Sequence, residues 1–225
     1  MGVVVTGSAS PTPGTSTFAT LKSRVARYVL SPDSSDVTAI AADAIRDAVN
    51  EINTRRWNWN LVYQDVVLVA DDADYDLATP FKGPFKAELL DSNNKCLGYL
   101  GWMDNHQFLR EYSQRDTSGD PYHYTVENPH EYGQVVLSAP PSSSFVASYP
   151  TLRLWFYRRV QPQVYDSDLL DIPSEVESYI EWQAKAYLAS EYDPSKLSYA
   201  QSRADRLWAK LQRDDVTNDL GDWSD

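Results

Sequence analysis

AADAIRDAVNEINTRRWNWNLVYQDVVLVA, residues 41–70, changes its repeat halfway along. Up to Ile52 the apolar residues recur every three or four positions: Val37, Ile40, Ala41, Ala44, Ile45, Ala48 and Ile52. That is one stripe of a helix. From Leu61 the residues are β-branched and roughly alternating, which is the repeat of a strand. Between the two lies NTRRWNWN, residues 53–60, with arginines and tryptophans side by side. Such a mixture can stack on nucleic acid. It can also close a core at a helix end, where cations are favoured by about 0.3–1 kcal/mol. Trp57 follows Ile52 by five positions, at the margin of the stripe, and Arg55 and Arg56 fall where the last helical turn is expected. The spacing therefore predicts that Trp57 closes a helical core and that Trp59 packs against the β region. A contact with DNA or a neighbouring subunit is the alternative.

Upstream, Phe18, Leu21, Val25, Tyr28 and Val29 form a second stripe, with Thr17 as its cap. SPDSSD separates the two helices, and Asp36 is the expected cap of the longer one. Downstream, helical spacing returns at Pro173, a residue suited to the first helical position. Val176, Tyr179, Ile180, Ala184, Tyr187 and Leu188 make one face. After the turn EYDPSK, Leu197, Ala200, Ala204, Leu207, Trp208 and Leu211 make the next.

The middle of the chain predicts about five or six strands with one short helix. The turns are DDADYDL, TPFKGPF, a hairpin at Ser92-Asn93-Asn94, and NPHEYG, with PSSS as a linker. MDNHQFLREYS is the short helix, capped by Asp104. The expected fold class is α+β and mainly helical. The N- and C-terminal helix pairs would form an antiparallel bundle, with a small β-rich region inserted. The expected organisation is a flexible arm over 1–16, a bundle from 17–60 and 172–213, a β-rich insertion over 61–171 and an acidic tail over 214–225.

The 225 residues carry a net charge of -12. Residues 61–172 hold eight Lys/Arg against sixteen Asp/Glu, and residues 214–225 hold five Asp and no cation. That balance argues against a sequence-specific DNA binder, which carries a basic patch. Cys96 is alone, so neither an internal disulfide nor a multi-cysteine metal site is expected. No apolar run approaches the roughly 20 residues that span a bilayer. The start MGVVVTGSASPTPGTST lacks a positive region and does not read as a secretory signal.

Motifs for catalysis are missing: no glycine-rich phosphate loop, G-x-S-x-G, H-E-x-x-H or C-x-x-C. His106, His123 and His130 are not spaced to share a helix face. DDADYD, residues 71–76, is rich in carboxylates but lacks the glycine and final glutamate of a calcium loop. Glu175, Glu177 and Glu181 suit a helix N-terminus. No enzyme, cofactor or metal is expected.

TLRLWFYRR, residues 151–159, is the most informative strand. Alternation places Leu152, Leu154 and Phe156 inward and Arg153, Trp155 and Tyr157 outward. An outward Trp-Tyr pair beside arginines suggests a protein contact. Arg153, Arg158 and Arg159 also make this strand the best candidate for a basic groove.

Several segments in order carry a family resemblance: AADAIRDAVNEINTRRWNW, VVLVADDADYDL, SGDPYHYTV, VVLSAPPSS, LWFYRRV and DLLDIPSEVESYIEWQAKAYLASEY. Over about residues 18–213 the chain resembles the head-to-tail adaptor, head-completion or connector proteins of tailed bacteriophages, especially short-tailed ones. The resemblance implies a ring, usually of twelve copies. The ring would be bound to the portal protein at the capsid vertex and present a platform to a tail or nozzle protein. It implies no enzymatic activity, a place in the virion after assembly in the host cytoplasm, no membrane, and a channel through which genomic double-stranded DNA passes without specific binding. The expected partner-binding residues are Trp155, Tyr157, Arg158 and Arg159 on the strand, and Leu220 and Trp223 in the tail. Residues 214–225 are expected to dock on the portal or a neighbouring subunit. Two other readings compete: a carbohydrate-binding tail module using the Tyr/Trp-rich strands, and a hydrolase.

Overall fold

A computed structural model describes residues 5–7, 16–29, 35–129 and 132–219. The chain forms two compact units. One comprises Asn60–Arg159 with the short N-terminal strand; the other comprises Ser10–Trp59 and Val160–Asp225.

The first unit is built on a sheet of β1 (Val5–Gly7), β2 (Leu61–Val67), β3 (Asp74–Asp76), β4 (Phe81–Leu90), β5 (Cys96–Trp102), β6 (His123–Glu127), β7 (Gln134–Leu137) and β8 (Thr151–Arg158). The strand order is β1-β2-β8-β4-β5-β6-β7-β3. Every pairing is antiparallel except β5 with β6. That parallel step needs a crossover, and it contains the short helix α3 (Asn105–Glu111). Asp104 caps α3 as expected, accepting from the Gln107 N–H at 3.1 Å. The strands β2 to β8 curl as a mixed half-barrel, with β1 added outside β2.

Alternation fills the concave side. Val62 and Val66 of β2, Leu152, Leu154 and Phe156 of β8, Ala87 and Leu89 of β4, and Tyr124, Val126, Val135 and Leu137 share one core. Gln64 also points inward and is 1% exposed. Its amide nitrogen donates to the Asp76 carbonyl at 3.0 Å, and its amide oxygen accepts from the Ala78 N–H at 2.9 Å. One side chain thus stands in for a strand pairing between β2 and the end of β3.

The second unit contains α1 (Phe18–Val29), α2 (Ser35–Ile52), α5 (Ser174–Tyr192) and α6 (Pro194–Asp219). The stripes meet in one core that includes Phe18, Leu21, Val25, Ile45, Ile52, Tyr179, Ile180, Ala204 and Leu211. Thr17 caps α1, its hydroxyl accepting from the Thr20 N–H at 3.3 Å. Asp36, the expected cap of α2, falls inside that helix, and its side chain lies outside the described residues. Trp57 is 2% exposed; its indole N–H donates to the Ile52 carbonyl at 2.9 Å, and its ring meets Trp208 edge-on at 5.2 Å. Arg55 lies beyond the end of α2, over the Trp208 ring at 5.5 Å. Trp59 stacks beside Trp57 at 6.5 Å and packs on the helical core, not on strands. Asp215 of α6 holds this segment, accepting from the Asn58 N–H at 2.7 Å.

The expectation of a mainly helical protein with a small β-rich insertion is overturned. Of the described residues 45% are helical and 26% are in strands, and the sheet is a large curled one with its own core. The strands look minor in sequence because β1 and β3 are three residues long. Turn-like residues also hide the first half of β4: Gly83 and Pro84 lie within it, where the register shifts around both. A bulge tolerates a proline that a regular ladder would not. PSSS is not a linker either. Ser142 caps the further helix α4 (Ser143–Ser148), accepting from the Phe145 N–H at 3.1 Å. Of the expected arm, residues 5–7 form β1 and 1–4 and 8–15 lie outside the described residues. α6 continues to Asp219, into the segment read as a tail.

Candidate partner-binding face

The alternation that fills the core fixes the outward residues of β2, β8 and β4. Strand register then decides which of them touch. Tyr63 lies opposite Trp155, and Asp65 opposite Arg153. On the other flank of β8, Lys86 lies opposite Trp155 and Glu88 opposite Arg153.

These residues form a closed grid. Arg153 grips Asp65 with two parallel bonds, Nε to Oδ1 and Nη2 to Oδ2, both 2.7 Å. The hydrogen bond to Asp65 raises the already high Arg153 pKa further. The Trp155 indole N–H donates to Glu88 Oε2 at 2.8 Å, and Lys86 Nζ donates to Glu88 Oε1 at 2.8 Å. Lys86 stands 5.2 Å from the centre of the Trp155 ring, and Arg153 4.7 Å from that of Tyr63. The Tyr63 and Trp155 rings are 4.9 Å apart, tilted by 44°. Tyr157 continues the row and meets Phe85 edge-on at 6.1 Å. Exposed Val67, Phe85, Leu97 and Tyr99 extend the apolar area from β2 to β5.

Two cations and two carboxylates balance within this grid. The result is a rigid, near-neutral surface with aromatic anchors, suited to protein contact. It holds no activated nucleophile. It is also poorly suited to sugar stacking, because a cation of the same chain already stands over each of the two central rings.

The structure separates the residues expected to act together. Trp155 and Tyr157 share the outer face. Arg158 has the opposite strand parity, and its register partner is the buried Phe81. Arg159 follows the strand, its N–H donating to the Pro80 carbonyl at 2.9 Å. The two arginines are half-buried and do not extend the Trp155 row. Leu220 and Trp223 lie outside the described residues. Tyr63, Asp65, Lys86 and Glu88 were not singled out from sequence. Their outward parity was legible, but their partners depend on strand register.

The other candidates have local tasks. Asp72 accepts from the Asp74 N–H at 3.2 Å, Asp71 bonds Ser118, and Asp74 pairs with Arg115 at 3.7 Å. Asp71 itself takes a left-handed turn conformation with φ 64°. His123 bonds the Tyr112 hydroxyl at 2.7 Å, His106 is exposed, and His130 lies outside the described residues. Glu177 and Glu181 reach Arg24 of α1 at 3.7 and 3.4 Å, and Glu181 pairs with Lys185 at 2.5 Å. Among the described residues no group of three or more His, Cys, Asp or Glu could hold a metal ion. None of the described helices is long and apolar enough to cross a membrane.

The family model of the SU10 adaptor protein matches residues 16–222. No curated protein matches the chain.

Proposed function

From the premise that this chain belongs to the SU10 adaptor protein family, we propose that it joins the portal to the tail of a short-tailed phage as a ring around the DNA channel. It is a structural adaptor protein of a bacteriophage particle. The family match over residues 16–222 carries the reading.

The ring contains about twelve copies, each offering one surface to the portal and another to a tail or nozzle protein. The grid around Trp155 is the surface offered to a protein partner. Its charges are already paired, so docking leaves no cation or carboxylate buried alone. The net charge of -12 suits a conduit for DNA. Each fixed cation facing the duplex would add phosphate affinity through counterion release. The role needs no enzymatic step. Residues 214–225 add a second contact, with Trp223 as anchor; removing residues 220–225 should leave the fold intact and weaken incorporation into particles.

The test is a mass measurement of the purified chain mixed with portal protein. The expected species is a portal ring carrying a full set of copies. Two components that never associate would overturn the proposal. A glycan array checks the carbohydrate-binding alternative, which the covered rings of Tyr63 and Trp155 do not favour.

A further inference from the structure

Three prominent apolar side chains of the helical unit stand in water on one loop. Val164, Tyr165 and Leu169 are 66%, 70% and 58% exposed. The loop is firmly tied. The Asp168 carboxylate accepts from the N–H groups of Val164 at 2.9 Å and Tyr165 at 2.7 Å. The first N–H groups of α1 use the same loop as their cap: Phe18 donates to the Asp168 carbonyl at 2.8 Å and Ala19 to the Asp166 carbonyl at 3.1 Å. Lys22 pairs with Asp166 at 2.6 Å. Exposed apolar residues held on an ordered loop mark an interaction site. Their ordering cost is met during folding and not on docking.

The same unit carries a pocket of about 200 Å³ lined by Trp59, Pro173, Val176 and Leu211 and by the acidic residues Glu175, Asp214 and Asp215, the last already accepting from the Asn58 N–H. Its walls are apolar and its carboxylates supply hydrogen-bond acceptors. A tyrosine matches both, with a ring for the walls and an O–H for a carboxylate.

We propose that Tyr165 of one copy seats in the Trp59–Leu211 pocket of the next copy, with Val164 and Leu169 covering the lip. This inference rests on the ring reading given above. The contact joins two different patches, so it repeats head to tail, which is how rings of identical chains close. Both patches belong to the helical unit. Charge favours this occupant over the chain's own C-terminal segment. LGDWSD, residues 220–225, would bring Asp222 and Asp225 against the pocket's carboxylates. The loop brings Asp166 and Asp168, which Lys22 and two backbone N–H groups already engage.

The test uses the full chain with Cys96→Ser, so that introduced thiols are the only ones. One preparation carries Val164→Cys, which keeps the Tyr165 ring, and a second, differently tagged, carries Asp214→Cys. They are mixed with portal protein, oxidised mildly and weighed. The expected product is a disulfide between the two tags. Separately, Tyr165→Ser should lower ring recovery by about 30-fold, the effect of losing one hot-spot contact, with an unchanged unfolding midpoint. Rings that form without the cross-link and tolerate Tyr165→Ser would overturn this contact while sparing the ring. A ring lost on removing residues 220–225 but kept with Tyr165→Ser would overturn it in favour of the chain's own tail. If mass shows no ring with portal, the contact and the ring reading fall together.

Discussion

The helical unit and the sheet unit use the same residue types to opposite ends. RRW, residues 55–57, and LRLWFYRR, residues 152–159, both set tryptophan beside arginine. In the first, Trp57 is sunk in the core, ringed by Trp59 and Trp208. In the second, Trp155 lies on the outer face, tied to Glu88 and flanked by Tyr63. Ion pairs divide the same way. Arg24, Glu177, Glu181 and Lys185 link α1 to α5 in the helical unit. Asp65, Arg153, Glu88 and Lys86 lie across the open face of the sheet. The helical unit packs Trp57, Trp59 and Trp208 into or against its own core, and the sheet unit keeps the row Tyr63, Trp155 and Tyr157 on its outer face. Composition alone cannot separate these fates; the local repeat can. A helical stripe draws in residues three or four apart, whereas a strand sends every second residue outward.

The largest consequence is for Trp57. Trp57→Ala removes a fully buried ring and the indole bond to Ile52, and should cost about 3–5 kcal/mol in denaturant unfolding. A loss under ~1 kcal/mol would place Trp57 at a surface and erase the contrast with Trp155.

Gln64 tests how the sheet is closed. Gln64→Leu fills similar space but leaves the Asp76 carbonyl and Ala78 N–H without their partner, so it should cost about 1–3 kcal/mol. Amide exchange at Ala78 should quicken in the variant. Equal exchange in both proteins would mean that the Gln64 bonds contribute nothing to closure.

How far could these roles be seen in the sequence? The stripes through Phe18, Ile45, Ile52 and Leu211 were legible because helical spacing needs no distant partner. The inward run Leu152, Leu154, Phe156 was legible for the same reason at a spacing of two. The size of the sheet was not. β1 and β3 are too short to show a repeat, and β4 passes through Gly83-Pro84, residues that usually signal a turn. The candidate site was half visible. The outward placement of Trp155 and Tyr157 followed from alternation. The partners of the grid did not, because Asp65 lies 88 residues from Arg153 and Glu88 lies 67 from Trp155. Only register, set by the whole sheet, brings them together. Arg158 follows Tyr157 by one position and so has the opposite strand parity, opposite Phe81.

Trp155 should give a small stability effect with a large assembly effect. It is half-buried, as are Tyr63, Lys86 and Glu88 around it, so Trp155→Ala should cost less than Trp57→Ala, about 1 kcal/mol. Portal capture should nevertheless fall, because aromatic anchors dominate interfaces. Weakened unfolding with intact capture would assign Trp155 to the sheet's stability and remove it from the partner face.

The smallest effect concerns acid. Asp91 closes the turn between β4 and β5, accepting from the N–H groups of Asn93 at 2.8 Å and Lys95 at 2.9 Å. The backbone bond from Lys95, followed by that from Asn93, holds its pKa below the ordinary carboxylate value. A carboxyl lowered by folding contributes stability that is complete above its unfolded value and is lost as pH falls through its folded one. The hairpin should therefore loosen only in strong acid. Asp91→Asn keeps an oxygen able to accept both bonds but cannot titrate, so the turn amides of Asn93 and Lys95 should lose that acid dependence. Asp193 provides the comparison in the helical unit. Hydrogen bonds from the side chains of Ser195 and Lys196 lower its pKa at the start of α6. If acid loosens both turns together, the two carboxylates share one acid range; if the β4–β5 turn opens first, the unit that carries the Trp155 row on its outer face is also the easier one to open.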